Sequence, residues 1–328
     1  MATAEPIEKS VGKVDTIKQW WRLLLRVRKE GWGNPVGYLF IAPGIILFLI
    51  FQVWPLINGF TMAFTDFAFL KQLKEPTNFV GLANFVEFFT NDKFFWPSFE
   101  RSLKFTAIYL PIMLTLGLFL ATVIARIRNS RVAGFFRMSM YLPVILPIAV
   151  AVLLWTTLLS NDFGYVNAIL KSVGLKQFAI SWLNNKNVVI PVVALIRIWR
   201  DAGGVAILFL IGMYGINEEL YESASLDGAG AFQQWRYITM PLLRPTLVLV
   251  LVLNVAVLSA AHEFMIIYGV PNLGPEGEGL TLGYYIWLVS FWWPPMRFGY
   301  GAAMSLFMGT ISAIMSFIVF KLLRTERA

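Results

Sequence analysis

The chain has 328 residues, 58% of them hydrophobic and only 14% charged, with a mean hydropathy of +0.67; a chain that apolar reads as a multi-span membrane protein rather than a soluble domain. Its formal net charge of +8 comes from Lys and Arg spread along the chain rather than gathered on a polar domain, which argues against nucleic acid as a partner. With no cysteine and His262 as the sole histidine, disulfides, thiol catalysis and Cys/His metal sites drop out, so no catalytic residue and no metal ligand is nominated.

Residues 1–36 form a basic tail with seven Lys/Arg. Its only apolar core is Leu23–Leu25, too short for a cleavable leader, so the first span is expected to direct insertion. Trp20, Trp21 and Leu24 alternate there with Lys18, Arg22, Arg26 and Arg28, which suits an interfacial helix on the inner leaflet and equally a tail that merely fixes topology. From 37 to 323 the pattern predicts an all-α membrane domain of six spans: Tyr38–Met62, Leu103–Ala125, Phe135–Leu159, Val188–Met213, Leu242–Ala261 and Ala302–Leu323. Pro43, Pro55, Pro111, Pro143, Pro147 and Pro191 interrupt most of them, and such breaks are tolerated where neighbouring helices re-satisfy the backbone, so the spans are expected to pack as a bundle.

Residues 65–102 mix charge with aromatics and predict a small folded external cap. Residues 262–301 carry turn formers and then "YYIWLVSFWWPP", a run too short for a seventh span and read as re-entrant or interfacial. Residues 324–328 form a short C-terminal tail. Orientation follows the Lys/Arg asymmetry: 16 basic residues fall on the side of the two tails and of the loops 126–137 and 212–245, against 9 on the other side. Both termini and the 212–245 loop are therefore expected in the cytoplasm.

In the fourth span Arg197 and Asp201 stand four apart and can pair on one face, with Trp199 and Arg200 beside them. Intramembrane charge costs at least about 2.5 kcal/mol per residue, so these groups are candidates for a solute path or for a structural ion pair. Gly203-Gly204 could break that helix and present backbone to a ligand. Further candidates are Asn254, a possible interhelical hydrogen bond, then Ser259, and His262 and Glu263, which could equally lie in the external loop. Trp199, Tyr284, Tyr285 and Trp287 are available to stack on a sugar ring or to form an interfacial belt.

The stretch Glu219–Pro245, "ELYESASLDGAGAFQQWRYITMPLLRP", differs from the runs around it. Glu218, Glu219 and Glu222 favour a helix start, Asp227-Gly228-Ala229-Gly230 can turn, and a second helical segment with Phe232, Trp235 and Ile238 leads to Pro241, expected to open the next span. This resembles the EAA loop of permease subunits of binding-protein-dependent ABC importers. Glu222-Ser223-Ala224, Gly228, Ile238 and Met240-Pro241 occupy the places of its Glu-Ala-Ala, Gly, Ile and Leu-Pro, around an intact Asp227-Gly228-Ala229. "APGIILFLIFQVWPLINGFTMAFTDF" (42–67), "FVGLANFVEFF" (79–89) and "FGYGAAMSL" (298–306) are similar to the first span, the cap and the start of the last span of carbohydrate permeases of the maltose and glycerol-phosphate type. The chain departs from them at residues 270–275, where a Thr-Gly-Gly-Pro turn is usual.

The resemblance implies a six-helix transmembrane permease bundle with a cytoplasmic coupling loop at about 214–241, in a prokaryotic plasma (inner) membrane. It implies a second permease, as a heterodimer, two ATPase subunits that bind ATP and Mg, and an extracytoplasmic substrate-binding protein that delivers a sugar or oligosaccharide. The coupling residues would be Glu222, Ser223, Ala224, Asp227, Gly228, Ala229, Ile238 and Pro241. No G-x-x-x-x-G-K-[ST] occurs, so no cofactor is expected in this chain itself. The alternative, a self-sufficient secondary transporter or channel, lacks an evident inverted repeat and leaves the acid-and-glycine loop without a purpose. A membrane enzyme would want paired carboxylates, a metal cluster or an activated nucleophile.

Overall fold

The computed structural model describes residues 35–260 and 262–323. The tail reading for residues 1–34, the C-terminal tail 324–328 and Ala261 lie outside the described residues. Two compact units divide at Thr61/Met62 and are described separately.

In the first unit, α1 runs as Pro35–Phe48, a π turn over Leu49–Val53, and Trp54–Met62. Its 25-residue apolar stretch Tyr38–Met62 is about 38 Å long at 1.5 Å per residue, enough to cross a bilayer. Pro55 has no N–H and its ring crowds the carbonyl four residues back, and the widened π turn just ahead of it absorbs both.

The second unit opens with the cap. Asn84 donates to the carbonyls of Ala63 and Thr65 at 2.9 Å each, and Asp66 accepts from Lys71 and from the Asn78 backbone at 2.6 and 2.7 Å. Those two donors hold the Asp66 carboxyl at about 2, below its ordinary 3.8. Helix α2 (Ala83–Thr90) packs Phe88 on Phe95 at 4.4 Å between ring centroids. The cap expected from the sequence is thus folded.

Asp92 starts α3 (Phe95–Ala125) by accepting from the N–H groups of Phe94 and Phe95, so the second span begins eight residues before Leu103, inside the cap. The predicted third span is two helices, α4 (Ser130–Ile145) and α5 (Ile148–Leu158), bent by 96° at Leu146-Pro147. Pro147 cannot continue the hydrogen-bond ladder and pushes Leu146 into an extended conformation.

The fourth span is α6 (Val189–Tyr214), 26 residues without a break, buried at its centre against α3, α4 and the helix that follows the hairpin. Gly203 does not break it: a Cβ there would collide with the Met140 carbonyl, so the glycine exists to let α6 and α4 touch backbone to backbone. A short hairpin, α7 (Glu218–Leu226) and α8 (Ala231–Leu242), leads to α9 (Arg244–Ser259), bent 61° from α8. Then come α10 (His262–Tyr268), α11 (Leu282–Phe291) and α12 (Phe298–Leu323).

The aromatic run forms the ten residues of α11, too short to span as expected, and buries Tyr284, Tyr285 and Leu288. Among the described residues α1, α3 and α12 are long and apolar enough to cross a membrane alone, and the two bent pairs raise the count to five; α6 has the length but carries Arg197, Arg200 and Asp201. The six predicted spans therefore correspond to four continuous helices and two bent pairs.

Candidate functional site

Three places gather the candidate residues. The first is a charged cluster midway along α3 and α6. Arg197, Arg200 and Asp201 share a face of α6: Arg200 donates to Asp201 at 2.8 Å, and Arg197 Nε lies 3.3 Å from the other Asp201 oxygen. Arg197 also pairs with Glu263 of α10, which is fully buried and not in an external loop. From α3, the Tyr109 hydroxyl sits 3.2 Å from Asp201 and 2.9 Å from the Asn254 Oδ1 of α9. Arg200 Nε donates to the carbonyl of Leu146, the residue at which α4 and α5 diverge. Two guanidinium and two carboxylate groups cancel, the condition under which buried charge is tolerated. Trp199 points elsewhere, edge-on to Trp155 at 5.5 Å.

The second place is a cavity of about 650 Å3 between α9, α11 and α12. Of the candidates it collects Ser259, His262 and Trp287; Arg197, Arg200, Asp201, Asn254, Glu263 and Tyr285 do not line it. Tyr285 turns the other way and donates to Asp92, as does Tyr300, while Arg297 makes a bidentate pair with Glu87 at 2.6 Å. Sequence reading passed over the opposite wall, Ser305, Gly309, Ser312 and Ser316 of α12. Their spacing i, i+4, i+7, i+11 is a small-residue stripe that a helical plot shows.

The third place is the hairpin. Asn217 caps α7 by accepting from the Glu219 N–H at 3.1 Å, with Glu218 and Glu219 in the first turn. Gly228 closes it at φ +81°, a conformation that favours glycine, while Ala229 N–H returns to the Ala224 carbonyl at 2.9 Å.

Gln234, which no pattern marked, staples the two helices by donating to Ser225 Oγ at 2.8 Å and lying within 3.4 Å of the carbonyls of Tyr221 and Ala229. Tyr221 and Thr239 join hydroxyls at 2.9 Å, and Trp235 Nε1 reaches Thr122 of α3 at 3.3 Å. Cap and hairpin are thus anchored at opposite ends of α3, about 45 Å apart at 1.5 Å per residue.

Of the eight nominated coupling residues, Glu222, Ser223, Asp227 and Gly228 are exposed, and Ala224, Ala229, Ile238 and Pro241 are half-buried. Leu226, Phe232 and Tyr237 add large exposed apolar surface. Pro241 does not open the next span: α8 runs through it to Leu242, by way of a π turn over Trp235–Thr239, and Pro245 lies in the first turn of α9. The same π-turn-then-proline spacing occurs at Pro55. Among the described residues no group of three His, Cys, Asp or Glu is placed to hold a metal.

Residues 113–325 match the family described as binding-protein-dependent transport system inner membrane component. The diacetylchitobiose uptake system permease protein of Streptomyces coelicolor is 30% identical over 292 residues, 86% of this chain and 80% of that one. Two solved structures share the fold. One is a bacterial ABC transporter involved in import of the acidic polysaccharide alginate, with TM-score 0.77 and 25% identity over 94% of this chain and 100% of that chain. The other is a bacterial alginate ABC transporter in complex with an alginate pentasaccharide-bound periplasmic protein, with TM-score 0.75 and 25% identity over 92% and 97%.

Proposed function

Since the chain belongs to the binding-protein-dependent transport system inner membrane components, we propose that it forms half of the translocation pathway for a sugar or oligosaccharide and is driven by separate ATPase subunits through its hairpin. The observation that carries this reading is the hairpin itself. It is internally stapled by Gln234, fixed to α3 through Trp235, and presents Glu222, Ser223, Asp227 and Gly228 outward beside exposed Leu226 and Phe232. A rigid element with a small polar tip and apolar flanks suits insertion into a partner's groove, and force applied to it passes directly into α3 and α9.

The remaining parts follow from that role. A second permease closes the pathway, an extracytoplasmic binding protein delivers solute at the cap side, and ATP with Mg binds in the ATPase subunits. The Lys/Arg asymmetry supports placing both termini and the hairpin in the cytoplasm. The pathway wall on this chain is the cavity of Ser259, His262 and Trp287 with the serine stripe of α12, where an indole face and hydroxyls suit a sugar ring. The cluster around Arg197 holds the helices that shape that wall. A sugar is favoured as solute because the relative and the solved structures named above handle diacetylchitobiose and alginate.

The test is purification of the tagged chain with its neighbours followed by uptake in liposomes. An ATPase and a second permease of similar size are expected to co-purify, and Gly228→Asp and Glu222→Lys are expected to insert normally yet lose ATPase association and uptake. Unchanged association and uptake in both variants would overturn the coupling role.

A further inference from the structure

Where the hairpin meets the bundle, a second cavity of about 470 Å3 lies between the last turns of α3 and α6 and the inner faces of α7 and α8. Its size falls in the range of roughly 300–1,000 Å3 usual for small-molecule sites. Tyr214, Tyr221 and Trp235 supply aromatic wall, and Arg126 and Glu218 supply planar hydrogen-bonding groups.

The condition of those polar groups separates this cavity from the one beneath the cap. There, Glu87 is consumed by Arg297, and Asp92 by Tyr285 and Tyr300, so both carboxylates of the lining are already paired. Here, among the described residues, the Glu218 carboxylate and the Tyr214 hydroxyl have no hydrogen bond or ion pair, and Arg126 has one long contact, 3.5 Å to the Ala231 carbonyl. Unengaged donors and acceptors that converge with aromatic faces on one cavity are the ordinary makings of a site for a polar ring.

We propose that this cavity is a second solute site, on the side of the ATPase, which takes one or two hexose units of the transported sugar after its release and slows the importer when filled. The proposal rests on the reading that the chain carries a sugar. The lining selects the ligand class: Arg126 and Glu218 cancel, which favours a neutral molecule, and a guanidinium and a carboxylate each match neighbouring hydroxyls on a pyranose whose apolar face lies on Trp235 or Tyr214. The slowing follows from what the ligand touches. The hairpin moves with α3, to which Trp235 fixes it, whereas Met213 and Tyr214 belong to α6, so an occupant bridges the driven pair and α6 and stabilises the arrangement in which they are apposed. Sugar accumulating inside then opposes the movement the ATPase must drive.

The experiment uses the assembled importer in liposomes with the ATPase side outward, and maltose, lactose and diacetylchitobiose as probes. Uptake is measured for each sugar presented with the binding protein, and ATP hydrolysis is measured as the same sugar is added to the ATPase side. The wild type should be inhibited saturably by a sugar it transports. Arg126→Gln should raise the half-inhibitory concentration about tenfold, and Ala125→Phe, which fills the cavity from α3, should abolish inhibition, both with sugar-free hydrolysis retained. No inhibition by a transported sugar, or equal inhibition of wild type and both variants, overturns the site while leaving sugar transport standing. Failure of the wild type to take up any of the probes removes the sugar reading, and this proposal with it.

Discussion

The cluster around Arg197 and the hairpin between Asn217 and Leu242 are built from similar residue types, Arg, Asp, Glu, Tyr and amides, and use them in opposite ways. In the cluster, charged groups from α6 and α10 and polar groups from α3 and α9 close on one another, with Glu263 fully buried. In the hairpin Glu219, Glu222 and Asp227 are exposed, and the shape is held by neutral bonds from Gln234, Tyr221 and Trp235. One arrangement spends its charge on holding helices together inside an apolar domain. The other keeps its charge available and its backbone rigid, as suits a surface to be gripped by another chain.

The largest effect should come from breaking the closed arrangement at one partner. Glu263→Ala leaves half-buried Arg197 with one fewer counter-charge, and removal of one member of a fully buried pair costs about 3–5 kcal/mol, an upper bound here. The expected outcome is loss of folded protein, read as a lower melting temperature in detergent and poor recovery by size exclusion. The double variant Arg197→Met, Glu263→Met removes both charges and should recover much of that stability. If Glu263→Ala melts like the wild type, the cluster is not what holds α6 and α10 together.

Gln234→Ala probes the hairpin with a smaller expected effect. It deletes the bonds to Ser225, Tyr221 and Ala229 without touching an outward residue, at about 1 kcal/mol of local stability. Hydrogen exchange should quicken in α7 and α8 and stay unchanged in α6. Equal quickening in both would mean that the hairpin and the bundle open as one unit.

The same contrast decides what the amino-acid sequence revealed. The hairpin is sequence-local: cap, turn glycine and proline fall within about 25 residues, so spacing alone placed them. The misjudged detail was Pro241, because proline inside a helix is tolerated when a π turn precedes it. The cluster is half local. Arg197 and Asp201 were visible as an i, i+4 pair, whereas Glu263 and Tyr109 lie 66 and 92 residues away from their partners and no spacing rule reaches them. On sequence alone Glu263 stands between a pathway residue and a loop residue, because a drop in hydropathy at His262-Glu263 looks the same whether the chain leaves the membrane or buries a paired carboxylate. The bend at Pro147 was marked by its proline, but the Leu146 carbonyl it frees is taken by Arg200 from another helix, 54 residues away, which no local spacing shows.

The exposed pair Asp66–Lys71 in the cap sharpens the comparison from its weak end. Its N–O distance of 2.6 Å gives it the geometry of a strong ion pair, but both side chains are partly exposed, at 24% and 38%, and solvent screening leaves such pairs contributing little. The Asp66 carboxyl is held at about 2 against an ordinary 3.8, by Lys71 first and the Asn78 backbone second. A carboxyl lowered on folding stabilises the folded state above its ordinary value, and the contribution is lost as pH falls from near 3.8 through about 2. The cap should therefore hold unchanged from pH 8 to pH 5, and Asp66→Asn should shift the melting temperature only slightly there, an effect that fades below pH 4 and disappears below about pH 2. A loss from Asp66→Asn as large as that from Glu263→Ala would show that burial is not what separates a strong ion pair from a weak one in this fold.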